Sequence, residues 1–350
     1  MSLTVLNDWH IGAVRTGGTT PATAYQLRQD LLQQFEEMLG VIDTDLLING
    51  DLFNSPAISM ADLLRTYRAL DNWLVRTGKS LWLSDGNHDL AKNSTNFSSF
   101  QFLAKLLVTE YGDTEEPGLV THIEGGGQMT PHGYVIPHVA NQDLFDLELA
   151  KVPACDYLFV HANYDNEFAV EADHSLNVSR EQAEALPVKH IVFGHEHQAK
   201  TALGGKVVIV GNQKPSSVSD CLGNDDKEVF EILADGSYGL STCWQAAGDF
   251  AELPWQEING YEGPERFIRV TGQAGADQAA TVVQAIGRFR AASSALVITN
   301  AVKIEGVDDA AQLALSHEEI TAFNVSAALA ELLTPEENAK LADLEKKHVA

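Results

Sequence analysis

Cysteine is scarce in this chain. Cys155, Cys221 and Cys243 are the only three, and their spacing fits neither a disulfide framework nor a zinc ribbon. They read as small buried or half-buried thiols, and a reducing, cytoplasmic compartment is the expectation. No apolar run reaches the roughly 18 residues of a membrane span, so no membrane association is expected. The start, Met1-Ser2-Leu3-Thr4-Val5-Leu6-Asn7-Asp8, lacks the basic residues and long apolar core of a signal peptide and reads as a first β-strand. Positive charge is also short: 23 Lys and Arg stand against 49 Asp and Glu, a net charge of −26. That excludes the broad basic face of an ordinary nucleic-acid binder. A polyanionic substrate would be repelled over most of the surface and would need a local patch or a basic partner.

What is present is ordinary globular composition, 45% hydrophobic and 21% charged. The 350 residues suggest two domains and a tail. Short apolar or β-branched runs at 3–7, 45–49, 79–84, 156–160 and 189–193 read as strands. Between them, Thr23 to Gly40 and Ser59 to Arg76 carry apolar residues at helical spacing, read as core-facing stripes. Alternating strand and helix predicts a layered α/β domain. Gly125-Gly126-Gly127, between runs at 118–123 and 129–136, predicts a hairpin turn. Gly78-Lys79-Ser80 resembles the end of a P-loop, but Trp73 stands where that loop needs glycine. Further strands are expected at 206–211, 227–233 and 238–243, and the pattern changes near Leu253-Pro254-Trp255. A strand at 267–270, a helix from Asp277 to Arg290 and a strand from Ala295 to Val302 then form a β-α-β piece. Thr334-Pro335-Glu336-Glu337 is a helix start, with an N-cap, a first-turn proline and a capping-box glutamate.

The chemistry concentrates in five stretches: Asp8-Trp9-His10, Gly50-Asp51, Gly86-Asn87-His88-Asp89, His161, and Gly194-His195-Glu196-His197. Each follows a predicted strand, which places all of them at the carboxyl edge of a sheet. Asp8 and His10 are two apart, so on a strand both would point the same way. Asp51 has two oxygens and can bridge two cations. Asn87 adds an amide oxygen, and His161, His195 and His197 add imidazoles. With Asp51 counted twice there are eight donors, four for each of two divalent metals. Such a pair lowers the pKa of a shared water and suits hydrolysis of phosphate esters. His88 need not be a ligand: it can face a phosphoryl oxygen and help the leaving alkoxide, with Asp89 fixing its tautomer. His138 could line the site. His122, His132, His174, His190, His317 and His348 read as surface or structural residues.

These residues resemble the calcineurin-like metallophosphoesterase superfamily over roughly 3 to 245. Asp8-Trp9-His10-Ile11-Gly12, Gly50-Asp51-Leu52-Phe53, and a strand followed by Gly211 and Pro215 after the Gly-His-x-His stretch are similar to SbcD-type nucleases, the nuclease subunits of double-strand-break repair complexes. The resemblance implies a four-layer-type β-sandwich flanked by helices, with a small β-α-β capping domain and a helical C-terminal tail. The implied boundaries are 1–250 for the nuclease domain, 258–306 for the DNA-capping piece, and 307–350 for a tail docking on a partner. It implies one metal held by Asp8, His10, Asp51 and His197, and another by Asp51, Asn87, His161 and His195. Manganese is the usual ion, with Mg2+ or other divalent ions as alternatives. His88 would be catalytic, DNA the substrate, an SbcC-type coiled-coil ATPase the partner, and a homodimer the assembly. Arg15, Lys92, Arg288 and Arg290 are candidate phosphate contacts. Asn54 stands where many members have a second histidine, which leaves the balance of exonuclease and endonuclease activity open. A small-molecule or cyclic-nucleotide phosphoesterase on the same fold is the alternative.

Overall fold

The computed structural model describes residues 2–15, 17–91, 97–112, 119–166, 175–223 and 225–305. The expected tail at 307–350, with its helix start at Thr334, lies outside the described residues, as do Lys92, His174, His317 and His348. Two six-stranded sheets form the body. In the first, Leu3–Leu6, Asp45–Asn49, Leu81–Ser84 and Val120–Ile123 run parallel, and Lys227–Ile232 and Tyr238–Trp244 extend it antiparallel. In the second, Gly133–Ile136, Cys155–His161, Val188–Gly194 and Val207–Ile209 run parallel, with an antiparallel strand at each edge.

The alternation of side chains along the strands explains how these sheets meet. Leu3 and Val5 turn to one face and join Val135, Phe159, Val192 and Val208 of the second sheet in a shared core. Leu6 turns the other way, into a cluster with helices α1 (Pro21–Val41), α2 (Met60–Thr77) and α3 (Ser99–Tyr111). The outer face of the second sheet packs on α4 (Gln142–Leu149) and α5 (Arg180–Ala185). Each fully buried Leu, Val or Phe contributes about 1.5–3 kcal/mol, so this interior fixes the strand ends from which the functional loops leave.

Helix starts follow their caps. Thr20 accepts from the Thr23 N–H at 3.2 Å and Pro21 opens α1, where a missing N–H costs nothing. Gly78 caps the end of α2 in a left-handed turn, which is the structural use of the P-loop lookalike. The three-glycine turn does not make a hairpin. Val120–Ile123 lies at the edge of the first sheet and Gln128–Thr130 at the edge of the second, so the glycines cross between sheets. The hairpin is the next turn, at Pro131-His132, between Gln128–Thr130 and Gly133–Ile136.

A separate parallel sheet of three strands follows: Phe250–Pro254, Phe267–Thr271 and Val297–Asn300. The break read near residue 254 therefore falls at the end of this sheet's first strand. Helix α6 (Ala279–Ala292) covers it, burying Val282, Ile286 and Phe289 against Ile268, Val270 and Ile298. The Ile298 N–H donates to the Gly18 carbonyl at 2.6 Å, which ties this sheet to the loop leaving the first strand of the body. Among the described residues, no helix is long and apolar enough to cross a membrane.

Candidate metal centre

Asp8 and His10 are not on a strand. The first strand ends at Leu6, and both residues adopt φ of 52°. Left-handed turns, not the expected pleat, therefore aim the two side chains. Six described non-glycine residues have positive φ: Asp8, His10, Asp51, Asp165, His195 and Leu203. Four of those six are expected metal ligands. Such residues cost of order 1–3 kcal/mol each and persist where the surroundings hold them. Here the surroundings are visible. The loop at 8–11 is laced to the loop at 50–54 by main-chain bonds from Asp8 to Gly50 (3.2 Å), His10 to Asp51 (3.0 Å) and Ile11 to Leu52 (2.9 Å). Trp9, buried between the two ligands, stacks edge-on against Phe35 and donates to the Leu31 carbonyl at 2.9 Å.

Two glycines permit the close approach of these loops. A Cβ on Gly50 would sit 2.3 Å from His161 Nδ1, and one on Gly86 would sit 2.2 Å from the main-chain N and Oδ1 of Asp51. Glycine is required at both positions.

All seven expected ligands converge. Ligand atoms of Asp8, His10 and His197 lie within 4.8 Å of one another, as do those of Asp51, His161 and His195. A third group of the same span joins His10, Asp51 and His88. Asn87 completes the second cluster, its Oδ1 lying 3.1 Å from His161 Nε2 and 3.0 Å from His195 Nδ1. Asp51 Oδ2 is 3.3 Å from His161 Nε2 and 3.9 Å from His10 Nε2, so one carboxylate faces both clusters. Asp8 is held by the His195 N–H at 3.0 and 2.9 Å and by Asn7 Nδ2 at 2.6 Å.

The donor chemistry fits divalent cations. His161 Nδ1 lies 3.0 Å from the Asn49 carbonyl and carries its proton there. In the neutral ring Nε2 is then a bare lone pair, directed at oxygens of Asp51, Asn87 and Asp8. His197 Nδ1 likewise meets Asp220 Oδ1 at 2.9 Å, and its Nε2 lies only 3.0 Å from His10 Nε2. Lone pairs facing lone pairs in a buried space require positive charge between them. Protons can supply part of it. Burial opposes a charged His161 ring, yet Asp51 overrides that and raises it to about 9. Burial would raise the Asp51 carboxyl, but His161 holds it well below the usual carboxylate range. Burial, followed by His197, pushes His10 down to about 3, and its buried Nδ1 has no hydrogen-bond partner.

His88 stands at the edge of this cluster, its ring 5.0 Å from that of His10 and its main-chain N–H on Asp51 Oδ1 at 2.9 Å. Asp89 does not hold its tautomer. The Asp89 carboxylate accepts main-chain N–H groups of Leu52 (3.3 Å), Phe53 (3.0 Å) and Gly86 (3.1 Å), so it clamps the two ligand loops together. His88 Nδ1 instead meets the Asn54 carbonyl at 2.8 Å. Asn54, noted for its side chain, contributes through its main chain.

His138 lies against the cluster, 6.5 Å from the His161 ring, and burial followed by His161 pushes it down to about 3. His122 and His132 are structural, on Asp85 and Asp45 at 2.9 Å each, and His190 meets the Gly205 carbonyl at 2.9 Å. The candidate phosphate contacts within the described residues have differing surroundings. Arg15 donates to the Ser216 carbonyl at 3.2 Å and hydroxyl at 2.9 Å. Arg290 donates from both Nε and Nη2 to the Ile298 carbonyl and so holds the small sheet together. Arg288 is exposed beside a cavity of about 440 Å³ lined by Trp255, Tyr261 and Phe289. Sequence reading missed Asn7, Asn49 and Asp220. They bond to ligands from positions with no motif of their own, and Asp220 is 23 residues beyond its partner.

Oxygen and imidazole donors gathered around one shared carboxylate, at the strand ends of two packed sheets, define a metal-dependent phosphoester hydrolase. Residues 1–199 match the calcineurin-like phosphoesterases, and the chain belongs to that family. No curated protein matches the chain.

Proposed function

We propose that this phosphoesterase is a DNA nuclease subunit of the SbcD type, acting with two Mn2+ or Mg2+ ions and a coiled-coil ATPase partner in the cytoplasm. The observation that carries the reading is the small parallel sheet fastened through Ile298 and Gly18 to the loop that begins with Asp8 and His10. A hydrolase of small esters has no need of such an addition, whereas an extended substrate does. In this reading the small sheet is the DNA cap and the body is the four-layer nuclease sandwich. Self-association is supported by α2 and α3, which pack side by side and expose apolar pairs one turn apart, Met60 with Leu64 and Phe102 with Leu106.

Bound at this centre, two divalent ions supply Lewis-acid activation and a water of lowered pKa. The rest falls to the chain. Asp51 spaces the two halves of the centre. His161 and His197 are kept in the tautomer that leaves Nε2 free. The His88 Nδ1–H donates to the Asn54 carbonyl, so Nε2 carries a proton for a phosphoryl oxygen only when the ring is charged. The imidazolium then offsets developing negative charge and passes that proton to the departing alkoxide.

The test is digestion of end-labelled duplex DNA with Mn2+, with and without the ATPase, beside bis-p-nitrophenyl phosphate. Cleavage of both substrates, with DNA cleavage stimulated by the partner, is expected. A small-molecule or cyclic-nucleotide phosphoesterase is the second reading. It is favoured by the net charge of −26 and by the internal bonds of Arg15 and Arg290. Cleavage of the small ester alone would establish it.

A further inference from the structure

We infer that Asp220 is a positioning residue that acts through His197 and raises the metal affinity of the half of the centre that His197 serves, an inference resting on the reading of the cluster as a divalent-metal centre. Asp220 lies in a short 3₁₀ turn, Ser219–Cys221, and is 4% exposed. Its Oδ2 accepts three donors: the Ser216 N–H at 2.8 Å, the Ser217 N–H at 3.0 Å and the Ser216 hydroxyl at 3.1 Å. That oxygen is saturated, so the carboxylate cannot rotate. Oδ1 is left for the Nδ1–H of His197 at 2.9 Å. Behind the same histidine, Lys227, itself 3% exposed, donates to the His197 carbonyl at 2.9 Å. The ring and its main chain are thus gripped from two sides by a buried acid and a buried base.

His161 is held differently. His161 Nδ1 rests on a neutral main-chain carbonyl, that of Asn49. An ionised acceptor draws the Nδ1 proton more strongly and makes Nε2 the better electron donor. Asp220 therefore strengthens cation binding by the cluster of Asp8, His10 and His197. Loss of a partner of this kind typically costs about 10–100-fold in metal affinity.

The experiment is a Mn2+ titration of the full chain by calorimetry, paired with elemental analysis and the visible spectrum of the Co2+-loaded protein. Wild type should take up two equivalents. In Asp220→Asn, one equivalent should weaken by about 10–100-fold, the other should hold, and the Co2+ spectrum should shift. In a His197→Ala background the same substitution should add nothing to the loss, because the effect passes through that ring. Ser216→Ala keeps the carboxylate but removes one of its anchors, and should weaken the same equivalent by about fivefold or less. It carries the test should circular dichroism show Asp220→Asn unfolded. Unchanged affinity in these variants, equal weakening of both equivalents, or a full further loss in the His197→Ala background would overturn the inference. A wild-type chain that binds no divalent ion would overturn the metal reading itself.

Discussion

The ligand loops of the body and the small sheet treat their functional side chains in opposite ways. In the body, seven donors from five separated stretches meet within a few ångströms, and backbone held in left-handed turns aims four of them. In the small sheet, the two arginines of α6 part company: Arg290 turns inward to its own sheet and Arg288 stays on the surface. Chemistry in the first region is imposed by the course of the main chain. In the second it depends on which neighbour a flexible cation finds.

Removing the shared carboxylate tests the first half of that contrast most severely. Asp51→Asn keeps shape and backbone preference but withdraws a charge from both clusters, and phosphodiester turnover should fall by about 10³-fold or more. Metal content by elemental analysis should fall with it. His88→Ala should cost about 10²-fold in turnover while metal content stays at the wild-type level, as the proposed role of the ring toward substrate requires. Loss of metal in that variant would make His88 a ligand instead. Gly50→Ala should reduce the thermal midpoint and the metal content together, by the equivalent of about 1–3 kcal/mol or more in stability, since a Cβ there meets the His161 ring. The small sheet should answer more quietly. Arg290→Ala should lower stability by about 1–3 kcal/mol, because a buried carbonyl loses both its donors. Arg288→Ala should change stability by less than about 0.5 kcal/mol. If DNA passes over this surface, Arg288→Ala should also reduce the salt slope of DNA binding by about one. Equal effects of these two arginine variants would erase the distinction.

The same contrast explains what could be read from the residues alone. Glycine next to a carboxylate, amide or histidine after an apolar run marks a tight turn at a strand end, and Gly50-Asp51, Gly86-Asn87 and Gly194-His195 were legible for that reason. The parallel order of strands in the body was legible from alternating periods. Less was readable where partners are chosen in space. Asp220 and Asn7 carry no local signal, since a serine-rich turn and an asparagine before a ligand are commonplace. Asp89 seemed a partner for its neighbour His88, but adjacent side chains diverge, and its carboxylate serves main-chain groups near 52 and 86. Asp8 and His10 do face one cluster, but left-handed turns rather than a pleat bring them there. The glycine triplet announced a turn without saying that it leads to another sheet.

The left-handed turns also limit which changes a lineage can accept. Asparagine and aspartate tolerate that region far better than branched residues. At positions 8 and 51 a single carboxylate-to-amide change should therefore silence the centre while sparing the architecture, whereas valine or isoleucine should force the loops apart. Descendants that lose hydrolysis but keep the shape, and so remain available as binding proteins, should carry Asn at these two positions.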